Sequence, residues 1–213
     1  MNAMQNFWMY LAVVVVTCLT PGAGVLMTVS NAFRYGKRHA FISPIGNAFG
    51  VLVMSVISAT GLGALIAATP GLFYGLQLLG AALLVYFGFR SWRARSLDLG
   101  RVSQVVEERP HENRTIFWSA ASLQATNPML IVFLLSLMPP FIDPNADYVH
   151  AMAILIGIFV AVCLVVHLAY SYTACLAGRL LQGERFGRII NRVSAVLFWI
   201  IAAGVVLELA ERF

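Results

Sequence analysis

One side chain deep in an apolar stretch of this sequence can gain a charge near neutral pH. His167 lies inside a 31-residue interval, residues 148–178, that contains no Lys, Arg, Asp or Glu, and Tyr170 and Tyr172 follow it closely. An imidazole in an ordinary environment titrates between pH 5 and pH 8 and can pass a proton. The residue is therefore predicted either as a proton-coupling group or as a neutral, hydrogen-bonded packing histidine, and the sequence favours the two equally.

Patterns typical of catalytic or metal centres do not occur in the sequence. There is no H-E-x-x-H, G-x-S-x-G or phosphate-binding loop. The three cysteines, Cys18, Cys163 and Cys175, form no C-x-x-C pair, and their spacing predicts no structural disulfide. We therefore expect no enzymatic activity, no bound cofactor and no metal site.

Two short segments combine a helix-breaking proline with small or polar neighbours. They are Thr20-Pro21-Gly22 and Thr126-Asn127-Pro128. Proline removes a backbone donor and clashes with the preceding helical turn. The exposed N–H end of a broken helix can hold an anion, and the exposed C=O end can hold a cation. The segments therefore predict a ligand site, and a pair of packing kinks is the alternative.

The two segments are related by a constant offset along the chain. Pro21 and Pro128 are 107 residues apart, half the chain length, and the same offset carries Gly50 onto Gly157. Matched breaks in two halves are typical of inverted-repeat transporters, whose substrate lies between the breaks. The predicted substrate-binding residues are Thr20, Pro21, Gly22, Asn47, Thr126, Asn127 and Pro128.

Two glycine pairs, Gly46-x-x-x-Gly50 and Gly71-x-x-x-Gly75, have the small-xxx-small spacing that lets helices approach closely. Packing inside the chain is the favoured use, and a homodimer face is the alternative. Asn47 lies between the first pair and is predicted either to bind substrate or to cap a neighbouring carbonyl.

The elements that carry these residues must lie in a membrane. Of the 213 residues, 60% are apolar and only 11% are charged, against about 45–50% and about 25% in soluble domains. Long charge-free intervals predict six membrane-spanning helices, since each crossing takes about 20 apolar residues. The predicted spans are residues 7–29, 41–67, 72–90, 116–138, 149–177 and 190–210, and the last is the weakest, so that five spans is the alternative.

The basic residues give the orientation of these spans. Thirteen of the 14 Lys and Arg residues lie in alternate loops, after spans one, three and five. Basic loops stay on the cytoplasmic side, so both termini are predicted outside. The net charge of +5 is thus a topology signal, and nucleic acid is not an expected partner.

We expect one all-α transmembrane domain over residues 1–213, built from two inverted three-helix repeats in which helices one and four are broken. Repeat one covers about residues 1–90, a cytoplasmic linker covers about 91–114, and repeat two covers about 115–213.

Several short motifs occur in an order that resembles the LysE/RhtB superfamily of amino-acid exporters, which includes the lysine exporters and the homoserine/threonine exporters. The motifs are Thr20-Pro21-Gly22, Gly80-Ala81, Tyr86-x-Gly88-x-Arg90, Asn127-Pro128, Met138-Pro139-Pro140-Phe141, and Arg188-x-x-Asn191-Arg192 leading to Gly204. Compared with the family pattern, Ala23 and Gly24 replace Pro and Asn, Gln77 and Met129 replace Lys, and Ala195 replaces Gly.

The resemblance implies an exporter in the bacterial inner (plasma) membrane, driven by the proton gradient and assembled as a homo-oligomer. Its substrate is expected to be a small neutral amino acid or related metabolite, because no acidic side chain lies inside the first five spans and an unpaired charge there is costly. The alternatives are a metal-ion exporter of the same superfamily and a membrane thiol oxidoreductase. The oxidoreductase would need a second thiol, and the repeat mate of Cys18 is Ala125.

Overall fold

The computed structural model describes residues 3–20, 22–36, 39–68, 72–94, 112–127, 130, 133–134, 138–142, 147–177 and 184–212. Every regular element in these ranges is helical, as the all-α prediction requires. The helices are α1 (Ala3–Leu19), α2 (Ala23–Tyr35), α3 (Ile42–Ala68), α4 (Leu72–Arg93), α5 (Asn113–Ala125), α6 (Tyr148–Ala177) and α7 (Glu184–Arg212), with a 3₁₀ turn at Pro139–Phe141.

Two of these helices are long and apolar enough to cross a membrane. They contain the segments Ile42–Gly61 of α3 and Tyr148–Leu176 of α6. The pair α1–α2 makes a third span if the two are taken as one bent helix, and α7 contains a shorter apolar stretch, Asn191–Leu207. The described residues thus support an all-helical membrane protein, and the count of six spans stays a prediction.

The core forms around α1, which packs against α6 and α7. Tyr10, Val13 and Val14 of α1 are almost completely buried. The Tyr10 hydroxyl donates a hydrogen bond to the Leu155 carbonyl of α6 at 2.8 Å. A buried tyrosine needs such a partner for its hydroxyl, so this bond fixes α1 against α6.

Helix α3 lies unusually close to α5 because two glycines face that helix. A Cβ added at Gly50 would lie 2.5 Å from the Ala121 carbonyl oxygen, and one added at Gly46 would meet the Phe117 carbonyl. The predicted packing use of this glycine pair is therefore confirmed. In the second pair, residue 71 lies outside the described residues and Gly75 borders open space.

The outward faces of the long helices are apolar. On α3, the large side chains at positions 45, 49, 52 and 56 are exposed, as are those at 149, 154, 165 and 176 on α6. Contiguous apolar surface of this extent is unusual on a water-soluble monomer and is expected of a surface that faces lipid.

Candidate functional site

The first predicted break interrupts the chain between α1 and α2. Helix α1 ends at Leu19, α2 begins at Ala23, and the two axes are bent by 53°. A break of this kind frees carbonyl groups at the end of α1 and N–H groups at the start of α2. The proline at position 21, a predicted substrate-binding residue, lies outside the described residues.

Side chains satisfy part of the α1 end. Tyr170 of α6 donates its hydroxyl hydrogen to the Leu19 carbonyl at 2.8 Å. Thr20 and Thr17 donate theirs to the carbonyls of Val16 and Val13, both at 2.7 Å. The hydroxyl oxygens of the two threonines keep lone pairs that can accept a hydrogen bond from a ligand.

The α2 start has backbone N–H groups that find no acceptor within the helix itself. Its N-cap residue is Gly22, and no side chain of the described residues caps it. Gly22 and the first-turn residues Ala23, Gly24 and Val25 all line one cavity. Backbone N–H groups and the helix dipole together favour an anionic group at such a position.

The second predicted break lies at the end of α5, which stops at Ala125. The Asn127 side chain donates to the Gln124 amide oxygen at 3.4 Å, and both residues line the cavity. Thr126 points elsewhere, because its exposed hydroxyl donates to the Ser122 carbonyl at 2.7 Å and it does not line the cavity. The proline at position 128 lies outside the described residues.

Both breaks open on this single cavity, whose volume is about 310 Å³. Thr20 and Gly22 come from the first break, and Gln124 and Asn127 come from the second. Apolar side chains, among them Phe133 and Phe159, line part of the remaining wall. A mostly apolar cavity with a few convergent polar groups is typical of a small-molecule site.

His167 lines the same cavity and is held by a buried polar network. The Asn47 amide nitrogen lies 3.0 Å from His167 Nδ1 and 2.8 Å from Thr28 Oγ1. With this amide orientation Nδ1 accepts a hydrogen bond, so the neutral ring carries its proton on Nε2. The network therefore fixes both the ring position and its tautomer.

The absence of a side chain at Gly24 leaves space for this network. A Cβ at position 24 would lie 3.1 Å from His167 Cε1 and 3.3 Å from the Gln124 amide nitrogen. Asn47 also donates to the Gly24 carbonyl at 3.3 Å. Since Asn47 is fully buried and does not line the cavity, it supports His167 from behind and caps a carbonyl, which was one of its two predicted uses.

Two cysteine thiols meet on the cavity wall. Cys18 of α1 and Cys163 of α6 are both buried and line the cavity, and their side chains are neighbours. The repeat offset had pointed to Ala125 as the partner of Cys18, so the sequence argument overlooked Cys163. Among the described residues, no group of three or more His, Cys, Asp or Glu could hold a metal ion.

One end of the cavity is formed by the end of α4 and the first part of α7. Arg90, Ser91, Ala94 and Asn191 line this end. Arg90 is the one formally charged side chain among the described lining residues. Sequence reasoning missed it as a site residue, because an arginine at the end of a predicted span is most simply interpreted as an interface anchor.

The comparisons with known proteins agree with the resemblance noted in the sequence. The chain matches the LysE type translocator family over residues 15–209. It is 30% identical over 194 residues to an uncharacterized membrane protein of Vibrio cholerae, covering 91% of this chain and 93% of that protein. No solved structure matches it.

Two relatives have descriptive names. A homoserine/homoserine lactone efflux protein of Salmonella typhimurium is 30% identical over 195 residues, covering 91% of this chain and 92% of that protein. A protein of the same name from Salmonella typhi is 29% identical with the same coverage. The chain therefore belongs to the LysE family of membrane translocators, and the predicted membership is confirmed.

Proposed function

We propose that this protein exports a small neutral amino acid or a related metabolite, such as homoserine or its lactone, across the bacterial inner membrane. The observation that carries the proposal is that both helix breaks open on one cavity of about 310 Å³. Broken backbone at membrane depth is tolerated where it lines a cavity, and transporters place their substrate there. The names of the Salmonella relatives support the substrate class.

The charge of the cavity supports a substrate without a cationic side chain. No carboxylate occurs among the described lining residues, and Arg90 contributes a positive charge. A lysine-like side chain would lie there without a counter-charge, which is costly away from water. The zwitterionic head group, in contrast, can be held by backbone dipoles at the two breaks.

The wider architecture is part of the same proposal. Six spans in two inverted repeats, residues 1–90 and 115–213, would form one transporter domain with a cytoplasmic linker at 91–114, and the protein would act as a homo-oligomer. The two helix breaks, 107 residues apart in the sequence, support this arrangement.

Proton coupling is proposed at His167. The ring lines the cavity, and its Nδ1 is engaged by Asn47 at 3.0 Å. In this tautomer Nε2–H can donate a hydrogen bond to substrate or cavity water, and the lone pair that takes up a proton is on Nδ1. Protonation would therefore require the Asn47 amide to turn its oxygen, which has no hydrogen-bond partner among the described residues, toward the ring. The other proposed binding residues that line the cavity are Thr20, Gly22 and Asn127.

Transport in proteoliposomes tests the proposal. Counterflow of labelled homoserine, threonine, leucine and lysine should be measured with the purified protein, with and without an imposed pH gradient. We expect homoserine or threonine to move at least tenfold faster than lysine and the pH gradient to raise net flux. Fastest movement of lysine would contradict the substrate class, and flux that ignores the gradient would contradict proton coupling.

A further inference from the structure

Arg90 lies in the cavity without a carboxylate partner. It is exposed at the end of α4, and no ion pair joins it to any acidic side chain in the part of the chain that the structure describes. A guanidinium presents a planar fork of donors that matches a carboxylate in two parallel hydrogen bonds. An arginine that faces a ligand cavity in this way has its donors available to a substrate.

Asn191 supplies an unpaired acceptor at the same end of the cavity. It is 3% exposed, and its Nδ2 donates to the Ala94 carbonyl at 3.4 Å. This contact sets the amide orientation, since the flipped amide would place oxygen against oxygen. Its Oδ1 is buried and has no hydrogen-bond partner in the part of the chain that the structure describes, although buried polar atoms are nearly always paired.

The two groups are connected through Ala94. Ala94 lies four residues after Arg90, directly beyond the end of α4, and consequently near the same side of that helix. Its carbonyl is the group that binds Asn191. A strong donor for an anion, Arg90, and an acceptor without a partner among the described residues, Asn191, thus both belong to residues that line this cavity.

We infer that Arg90 and Asn191 form a loading subsite for the α-amino acid head group, in which Arg90 binds the carboxylate and Asn191 Oδ1 accepts a hydrogen bond from the ammonium group. The inference rests on the proposed export function and deepens it, because it names the residue that selects a free carboxylate. Basic span ends lie on the cytoplasmic side, so this subsite is where an exporter would take up its substrate.

Homoserine and homoserine lactone separate the two roles. Both carry the α-amino group, but the lactone is an internal ester and has no carboxylate. Inside-out membrane vesicles present the cytoplasmic face to the medium, so uptake into them measures loading directly. We expect Arg90→Gln to raise the half-saturating concentration of homoserine about tenfold or more and to change that of the lactone less than about twofold. Arg90→Lys should fall between, because it keeps the charge and loses the fork.

A matched control comes from the same helix end. Arg93 is also exposed and basic but does not line the main cavity, so Arg93→Gln removes the same charge and should leave both substrates unchanged. Asn191→Ala should raise the half-saturating concentrations of homoserine and of the lactone together, because both compounds carry the amino group. Lactone uptake reports that the Arg90 and Arg93 variants are folded and inserted, and the amount of folded Asn191→Ala protein is measured by size-exclusion chromatography in detergent.

The outcomes separate this inference from the proposed function. If the wild-type protein moves neither compound nor any amino acid, the export function is wrong and the inference falls with it. If the wild-type protein moves both, and Arg90→Gln loses them equally or loses neither, the carboxylate role of Arg90 is wrong while the export function stands.

Discussion

Asn47 gives the cavity a histidine with a fixed ring and a fixed tautomer. The amide reaches His167 Nδ1, Thr28 Oγ1 and the Gly24 carbonyl within 3.3 Å, so the ring cannot rotate without breaking buried hydrogen bonds. Nε2–H can donate to a ligand, and a proton can be taken up only at Nδ1, once the Asn47 amide has turned its oxygen toward the ring. A group that transfers a proton must lie within hydrogen-bond reach of its partner, so a fixed ring suits the proposed role of His167.

Replacing His167 with Gln tests whether this proton is used. We expect at least a tenfold loss of net export driven by a pH gradient, because an amide cannot take up a proton. Exchange of labelled for unlabelled substrate, which needs no net proton movement, should be retained. The measurement is gradient-driven flux beside counterflow in the same proteoliposomes.

His150→Gln is the control for that experiment, because His150 is exposed at the start of α6 and does not line the cavity. It should keep both activities. Equal loss of exchange and of driven export in His167→Gln would assign this histidine to packing alone.

At the level of elements, the close packing of α3 on α5 depends on a glycine whose counterpart in the second half of the chain has no such role. Gly50 and Gly157 are mates under the 107-residue offset, yet a Cβ at Gly50 would strike the Ala121 carbonyl while Gly157 has nothing within 4 Å. The two halves of the chain therefore differ at this position, and we expect only the first half to depend on its glycine.

This difference predicts opposite effects of one substitution. Gly50→Ala should lower stability by about 1–3 kcal/mol, because a methyl group is forced against backbone. Gly157→Ala should be neutral or stabilising by up to about 1 kcal/mol, since alanine is the better helix former. Thermal unfolding in detergent micelles gives both values, and similar midpoints for the two variants would contradict the packing argument.

The breaks themselves are tested by restoring the helix. If Pro21 and Pro128 open backbone groups toward substrate, their replacement by Ala should reduce transport severalfold more than it reduces folded protein. Pro70→Ala, at a position between the end of α3 and the start of α4, should do less. Transport rate per folded molecule is the measurement, and equal loss of folded protein in all three variants would favour simple kinks.

For the whole molecule, the placement of basic residues predicts its orientation in the membrane. Thirteen of 14 Lys and Arg residues lie in alternate loops, which predicts residues 91–114 inside the cell and residues 139–148 outside. Arg90 and Asn191 belong to basic span ends, so the cavity end that they line is predicted to face the cytoplasm.

Labelling in intact cells checks that orientation. In a background without native cysteines, an impermeant maleimide should label Asn145→Cys and leave Ser103→Cys unmodified until the membrane is opened. Both positions lie outside the described residues. Labelling of position 103 but not of position 145 would reverse the topology and move the proposed loading subsite to the outer face.

The features that could be predicted from the sequence are those that depend on the residue types in one short segment. Charge-free intervals locate the long helices, a proline between small residues marks the end of α1, and an isolated titratable side chain singles out His167. Each signal comes from the residue type at one position. The glycine spacing at Gly46 and Gly50 likewise indicates close packing without naming the partner helix.

The sequence could not predict contacts between residues that are far apart in the chain. Cys18 is 145 residues before Cys163, and Arg90 is 101 residues before Asn191, so neither pair has a spacing that indicates contact. Tyr170, which supports the end of α1, is equally remote from Leu19. Such contacts depend on which helix faces pack together, and that choice is made by the tertiary structure.

The neighbouring thiols of Cys18 and Cys163 allow substrate binding to be followed in the unmodified protein, through the rate at which they form a disulfide. They belong to α1 and α6, and both side chains lie on the cavity wall. An oxidant such as hydrogen peroxide takes two electrons and two protons from the pair as the disulfide forms and leaves as water. That reaction requires the oxidant to reach a thiolate in the cavity, so a substrate that fills the cavity should slow disulfide formation in the unmodified protein.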